Sequence, residues 1–306
     1  MNKRNEFFTE FEYIPILGGY QEGITRRDPS PVIKVDNLYY CWYSRSTHNS
    51  SGYYAEIWYA VSSDGFKWKE MGKAVGKGSN SNWDENGVFT PSVLIAEDRY
   101  YIFYTAVPKP FTQEHPPTQT AIGIATAESP HGPWTKFVNN PVLNTGKPDE
   151  WDSCRVDDSC LIVRNGKYWL YYKGRQMGLS PAETKMGLAI SEFPQGPYRK
   201  HPQNPILKSG HEVCVWPHGE GVAAIIAPTG PEGSTIQYSP DGINFSVKAK
   251  IKPPSAPGPY RTDEYKDVEY GKGITWGICQ NIHEKTHWPF LMRFDCHLKA
   301  EKQRYC

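Results

Sequence analysis

The chain has almost no net charge: 34 Lys and Arg stand against 33 Asp and Glu, a formal +1. That balance gives no electrostatic case for nucleic acid or an anionic membrane as partner. No segment approaches the ~20 consecutive apolar residues of a membrane span. The opening "MNKRNEFFTEFEYIP" has no apolar stretch of signal-peptide length, so a cytoplasmic location is expected. The seven cysteines (41, 154, 160, 214, 279, 296 and 306) include no CxxC pair. An odd, scattered set reads as free thiols in a reducing compartment rather than a disulfide framework. There is no HExxH, and His211 and His218 stand seven apart, so no metal site is expected.

Aromatic residues, by contrast, are plentiful at 14%, and Gly and Pro contribute 27 and 26 residues. Short aromatic strands joined by many tight turns produce this profile. One pattern recurs four times. It opens as "DPSPVIKVDNLYYCWY" at Asp28, "TPSVLIAEDRYYIFYTA" at Thr90, "DDSCLIVRNGKYWLYYKG" at Asp157 and "EGVAAIIAPTG" at Glu220. It closes as "SSDGFKW", "ESPHGPW", "EFPQGPY" and "SPDGINF". The openings lie 62, 67 and 63 residues apart, too long for a hairpin and suited to a repeat architecture.

Within the second unit, "TPSVLIA", "YYIFYTA" and "TAIGIATAES" read as three strands, and a fourth follows near "NPVL"; the third unit copies this order. Four meandering strands per unit describe a propeller blade. Asn165-Gly166 and Asp241-Gly242 supply the residues that tight hairpins need. Strands between Tyr265 and Leu298 supply a fifth blade, and "FEYIPIL" is expected to complete it and close the ring. The expected fold is all-β: a five-bladed β-propeller, residues 1–306 forming one domain.

The innermost strand of each blade lines the channel, so Asp28, Thr90, Asp157 and Glu220 are expected to meet there. Three of the four are acids. Paired carboxylates roughly 6.5–9.5 Å apart serve inverting glycoside hydrolysis, one protonating the leaving oxygen and one activating water. Asp157 is preferred to its neighbour Asp158 because it aligns with Asp28. In "GHEVCVWPHGEG", His211 and His218 are candidates for proton transfer near neutral pH. Arg27 beside Asp28, Trp83 and Trp151 on loops expected at the channel side, Trp216, Arg175 and His283 complete the substrate-binding set. A divalent cation on the axis, reached through His283, is the one cofactor this geometry leaves open; none is required.

"RRDPSPVI", "RVDDSCLIVRNGKYWLYYKG" and "GHEVCVWPHGEGVAA" resemble the propeller glycosidases of glycoside hydrolase family 117 and, more loosely, families 43 and 32. The family 43 pattern implies Asp28 as base, Asp157 as orienting residue and Glu220 as acid. Family 117 implies an exo-acting, inverting enzyme removing 3,6-anhydro-L-galactose from neoagaro-oligosaccharides, with a histidine as acid, here His211, and the glutamate contacting sugar. Which of His211 and Glu220 donates the proton stays open. Family members carry a longer N-terminal extension that swaps between protomers, whereas the first expected strand here starts at Phe11; a homodimer is the only assembly the resemblance raises. The alternatives are a β-mannoside phosphorylase using Arg26, Arg27, Lys173 and Arg175 for phosphate, a family 43-like arabinosidase or xylosidase, and a non-catalytic carbohydrate-binding propeller.

Overall fold

The computed structural model describes residues 5–48, 52–79, 82–110 and 118–301. They form five antiparallel blades. Blade one is built from Thr25–Arg27, Leu38–Ser46, Glu56–Ser62 and Lys69–Val75, and blade two from Gly87–Ala96, Arg99–Val107, Ala121–Ala127 and Thr135–Lys136. Blade three runs Arg155–Arg164, Lys167–Arg175, Lys185–Ser191 and Arg199–Lys200. Val213–Gly219, Gly221–Ile226, Thr235–Ser239 and Ser246–Lys250 make blade four. Blade five uses Ser255–Pro259, Gly271–Ile282 and Pro289–Lys299, and Glu12–Pro15 pairs antiparallel with the last of these. No helix among the described residues is long and apolar enough to cross a membrane.

The aromatic second strands explain the packing. Trp42, Tyr43, Phe103, Tyr104, Tyr171 and Tyr172 are all buried to within 1%. Side chains alternate across a strand, so each run feeds the contacts of both neighbouring blades at once. The hairpins joining first and second strands are tight: Asp36-Asn37, Glu97-Asp98 and Asn165-Gly166 carry positive φ at both central residues. Asp241-Gly242 works differently. The Asp241 carboxylate accepts the N–H groups of Ile243 and Asn244, both at 2.8 Å, and Asp64 does the same for Phe66 and Lys67. The "DG" closings are therefore side-chain-capped turns. Six cysteines are free and buried; Cys306 lies outside the described residues.

Candidate active site

The inner strands of blades one, two, three and five enter the channel through a one-residue irregularity that leaves a single residue facing the axis. Arg27 pairs with Ser44, Phe89 with Thr105, Asp157 with Lys173 and Ser255 with Gln280. The residue following each of these, Asp28, Thr90, Asp158 and Ala256, adopts a left-handed φ of 45–49°. Blade four keeps the count: Cys160, two beyond Asp158, pairs with Tyr171, and Cys214, two beyond Glu212, pairs with Ile225. The five residues at the channel are thus Asp28, Thr90, Asp158, Glu212 and Ala256, and all five line one cavity on the axis.

A relay of hydrogen bonds around the ring holds these positions. Gln280 Oε1 accepts the Asp28 N–H at 2.9 Å, Ser44 Oγ that of Thr90 at 2.9 Å, and Thr105 Oγ1 that of Asp158 at 3.3 Å. Glu212 Oε2 accepts the Ala256 N–H at 2.6 Å, and Ser255 Oγ donates to its Oε1 at 3.2 Å. Blades five, one, two and four thus anchor the channel residues of blades one, two, three and five. Such non-glycine left-handed residues are costly and persist only where their surroundings fix them.

Each carboxylate has a distinct environment. Asp28 Oδ2 meets Arg27 Nε at 2.9 Å, and Asp28 holds the Arg27 guanidinium above its ordinary range. Asp158 Oδ2 lies 2.5 Å from Lys173 Nζ, whose second partner is Asp157 at 3.3 Å. Burial pushes the Asp158 carboxyl up, Lys173 draws it down, and Asp157 and Asp28 push it up again, for a net rise. Burial also raises Glu212; the Ala256 N–H opposes that rise, and the charge of Asp28 adds to it. His211 is half-buried beside them, and its Nδ1 donates to the Pro181 carbonyl at 3.2 Å. Burial and the Lys173 charge lower it to about 4, with Asp157 opposing.

The structure corrects several expectations. Asp157 points away from the axis, 1% exposed, and Asp158 takes the place of Asp28 and Thr90. Glu220 is exposed at the far end of Val213–Gly219. Eight residues at about 3.3 Å per residue put it roughly 26 Å from Glu212, on the opposite face. It lines a different cavity, together with His218. Trp216 is buried in the core and donates its indole N–H to His218 Nδ1 at 3.3 Å.

Trp83 and Trp151 do not line the axial cavity. Trp83 stacks on Tyr104 at 5.6 Å and fills the space above Gly123, where an added Cβ would come within 2.5 Å of the indole. Trp151 packs on Tyr172, and a Cβ on Gly174 would meet it at 2.4 Å. The aspartate after each is structural as well: Asp84 meets Lys136, and Asp152 meets Lys200, both at 2.6 Å. His283 stacks on Tyr20 at 3.9 Å and pairs with Thr286, away from the lining of the axial cavity. Arg175 is buried across the sheet from Arg155, and its charge acts on His211. Among the described residues no three His, Cys, Asp or Glu side chains converge to hold a metal ion.

Sequence reasoning gave no catalytic role to Glu212, which stands in the histidine-rich cluster, and passed over Gln280 and Ser255. A proline follows the channel residue in "DP", "TP" and "AP" (Pro29, Pro91 and Pro257), a signal that would have found the fifth position.

Three carboxylates from different blades around one axial cavity define a propeller glycoside hydrolase. The comparisons agree. Residues 23–183 match the model of Glycosyl hydrolases family 43. Zg3597, a family 117 glycoside hydrolase of the marine bacterium Zobellia galactanivorans, shares 33% identity and a TM-score of 0.88, covering 98% of this chain and 94% of that one. Fructan 1-exohydrolase IIa from Cichorium intybus has the same fold at 13% identity and a TM-score of 0.62, covering 94% of this chain and 57% of its own. A Bombyx mori family 32 β-fructofuranosidase does so at 12% and 0.62, covering 94% and 62%. No curated protein matches the chain. The chain belongs to glycoside hydrolase family 117 and carries the family 43 signature over its first two blades and the first two strands of the third.

Proposed function

We propose that this chain is an exo-acting, inverting glycosidase in which Asp28 is the general base, Glu212 the general acid and Asp158 the residue that orients the sugar. The observation that carries this reading is the convergence of the three on one axial cavity, each from its own blade. A pocket ringed by five blades accepts a chain end more readily than the middle of a polymer, which supports exo action. Inversion follows from two carboxylates that work from opposite sides of the sugar with water between.

The environments favour Glu212 over His211 as proton donor. A general acid must be protonated in the working enzyme. Burial raises Glu212, whereas His211 is lowered to about 4 and is neutral, with its proton on the nitrogen facing Pro181. The first substrate to test is a neoagaro-oligosaccharide with terminal 3,6-anhydro-L-galactose, in keeping with the family 117 likeness. Turnover is measured on a panel of neoagaro-oligosaccharides and nitrophenyl furanosides, with the product anomer followed by NMR. Retention of configuration, or equal turnover by Asp28→Asn, refutes the reading.

A further inference from the structure

The relay around the channel carries, in blade three, a charged residue that cannot accept a hydrogen bond. Ser44, Thr105 and Gln280 face the next blade from equivalent places on the second strands of blades one, two and five, and each accepts a channel N–H. The equivalent residue of blade three is Lys173, opposite Asp157 in the ladder, and its charge reaches Glu212, the channel residue of blade four. An ammonium has three donors and no acceptor, so Lys173 cannot take the part its counterparts play. It is nearly buried, with 12% of its side chain exposed, and its charge is shared between Asp157 at 3.3 Å and Asp158 at 2.5 Å. Burial draws the ammonium down, but the two aspartates outweigh it and hold Lys173 charged.

We propose that Lys173 is a positioning residue: its ammonium fixes the Asp158 carboxylate in the channel and supplies the local positive charge beside Glu212 and His211. The inference rests on the glycosidase reading for its catalytic consequence and on geometry alone for its electrostatic one. Several charged groups bear on it. Asp157, Asp158 and the Tyr53 hydroxyl act on Lys173; Asp157, Lys173 and Arg175 act on His211; and Asp28, Arg27 and Lys173 act on Glu212. Lys173 lowers His211, Glu212 and Asp158 alike, so its removal must raise all three.

Two independent measurements test this. In ¹³C-histidine NMR titrations, assigned with His211→Asn, the His211 midpoint is expected to move up from about 4 in Lys173→Met and to stay near the wild-type value in Lys173→Arg. In kcat/KM against pH, Lys173→Met is expected to carry the alkaline limb upward and to lose about 10-fold or more in kcat, with a smaller change in KM. If Lys173→Met does not fold, Lys173→Gln keeps a donor to Asp158 without the charge, and the same criteria apply. A His211 midpoint unmoved by loss of the charge overturns the proposal. If no substrate is turned over by wild type, the glycosidase reading fails, while the NMR arm still decides the part played by Lys173.

Discussion

Glu212 in blade four accepts the backbone N–H of Ala256 in blade five at 2.6 Å, so one carboxylate both faces the axial cavity and fastens the next blade. Glu212→Gln retains an amide oxygen for Ala256 and removes the ionisable group. Its kcat is expected to fall about 10²- to 10⁴-fold, and the alkaline limb of the pH profile to disappear. His211→Asn should keep that limb. The two pH profiles, measured side by side, check the assignment of the acid.

Asp28→Asn is expected to lose about 10²- to 10⁴-fold in kcat/KM. Its backbone anchor to Gln280 does not involve the carboxyl group, so the thermal midpoint should change little. Kinetics and a melting curve on the same preparation separate the two effects.

Asp152→Asn is expected to destabilise the fold by about 1–3 kcal/mol, because Lys200 and the Tyr172 hydroxyl lose their charged partner at a buried site. Urea unfolding reads this loss. KM should hold, since Trp151 and Asp152 pack within blade three rather than against substrate.

His218 is 2% exposed, and burial lowers it to about 4 from 6.5. The unfolded chain therefore binds the extra proton first. The stability contributed by neutral His218 is fully present above about pH 6.5 and is lost as pH falls toward 4. His218→Gln should flatten the denaturation midpoint over that window while leaving kcat alone, as befits a residue on the face opposite Glu212.

Turnover should survive dialysis against EDTA. Asp28, Asp158 and Glu212 are each engaged by the protein, through Arg27, Lys173 and the Ala256 N–H respectively. Loss of activity on chelation, restored by a divalent cation, would instead show that the axis needs one.

The blade pattern was legible because aromatic strands and tight turns follow local rules, and repetition multiplied a weak signal. The site was legible only in part. Aligning Asp157 with Asp28, and so Ser159 with Ser30, slid blade three by one residue, and a one-residue slip turns every side chain to the other face. Register resolves it: Cys160, not Ser159, is the counterpart of Ser92, which moves the channel from Asp157 to Asp158. In blade four "VAAIIA" looked like an inner strand by its apolar run, yet it is the second strand, and "VCVWPHG" precedes it. Hydrophobicity cannot order two buried neighbours; pairing can. Gln280 was invisible because its role is set by a residue 252 positions away.

The left-handed residues at the channel carry one last consequence. Arg27 and Lys173 hold the Asp28 and Asp158 carboxylates from within their own blades, but the backbone of Asp28, Thr90, Asp158 and Ala256 is fixed in each case by the blade before. A partly assembled ring therefore has strands but no competent centre, and the last interface to form is the one that switches the enzyme on. Completion of the fold and onset of activity become a single event, so recovery of turnover during refolding should trail recovery of β-structure.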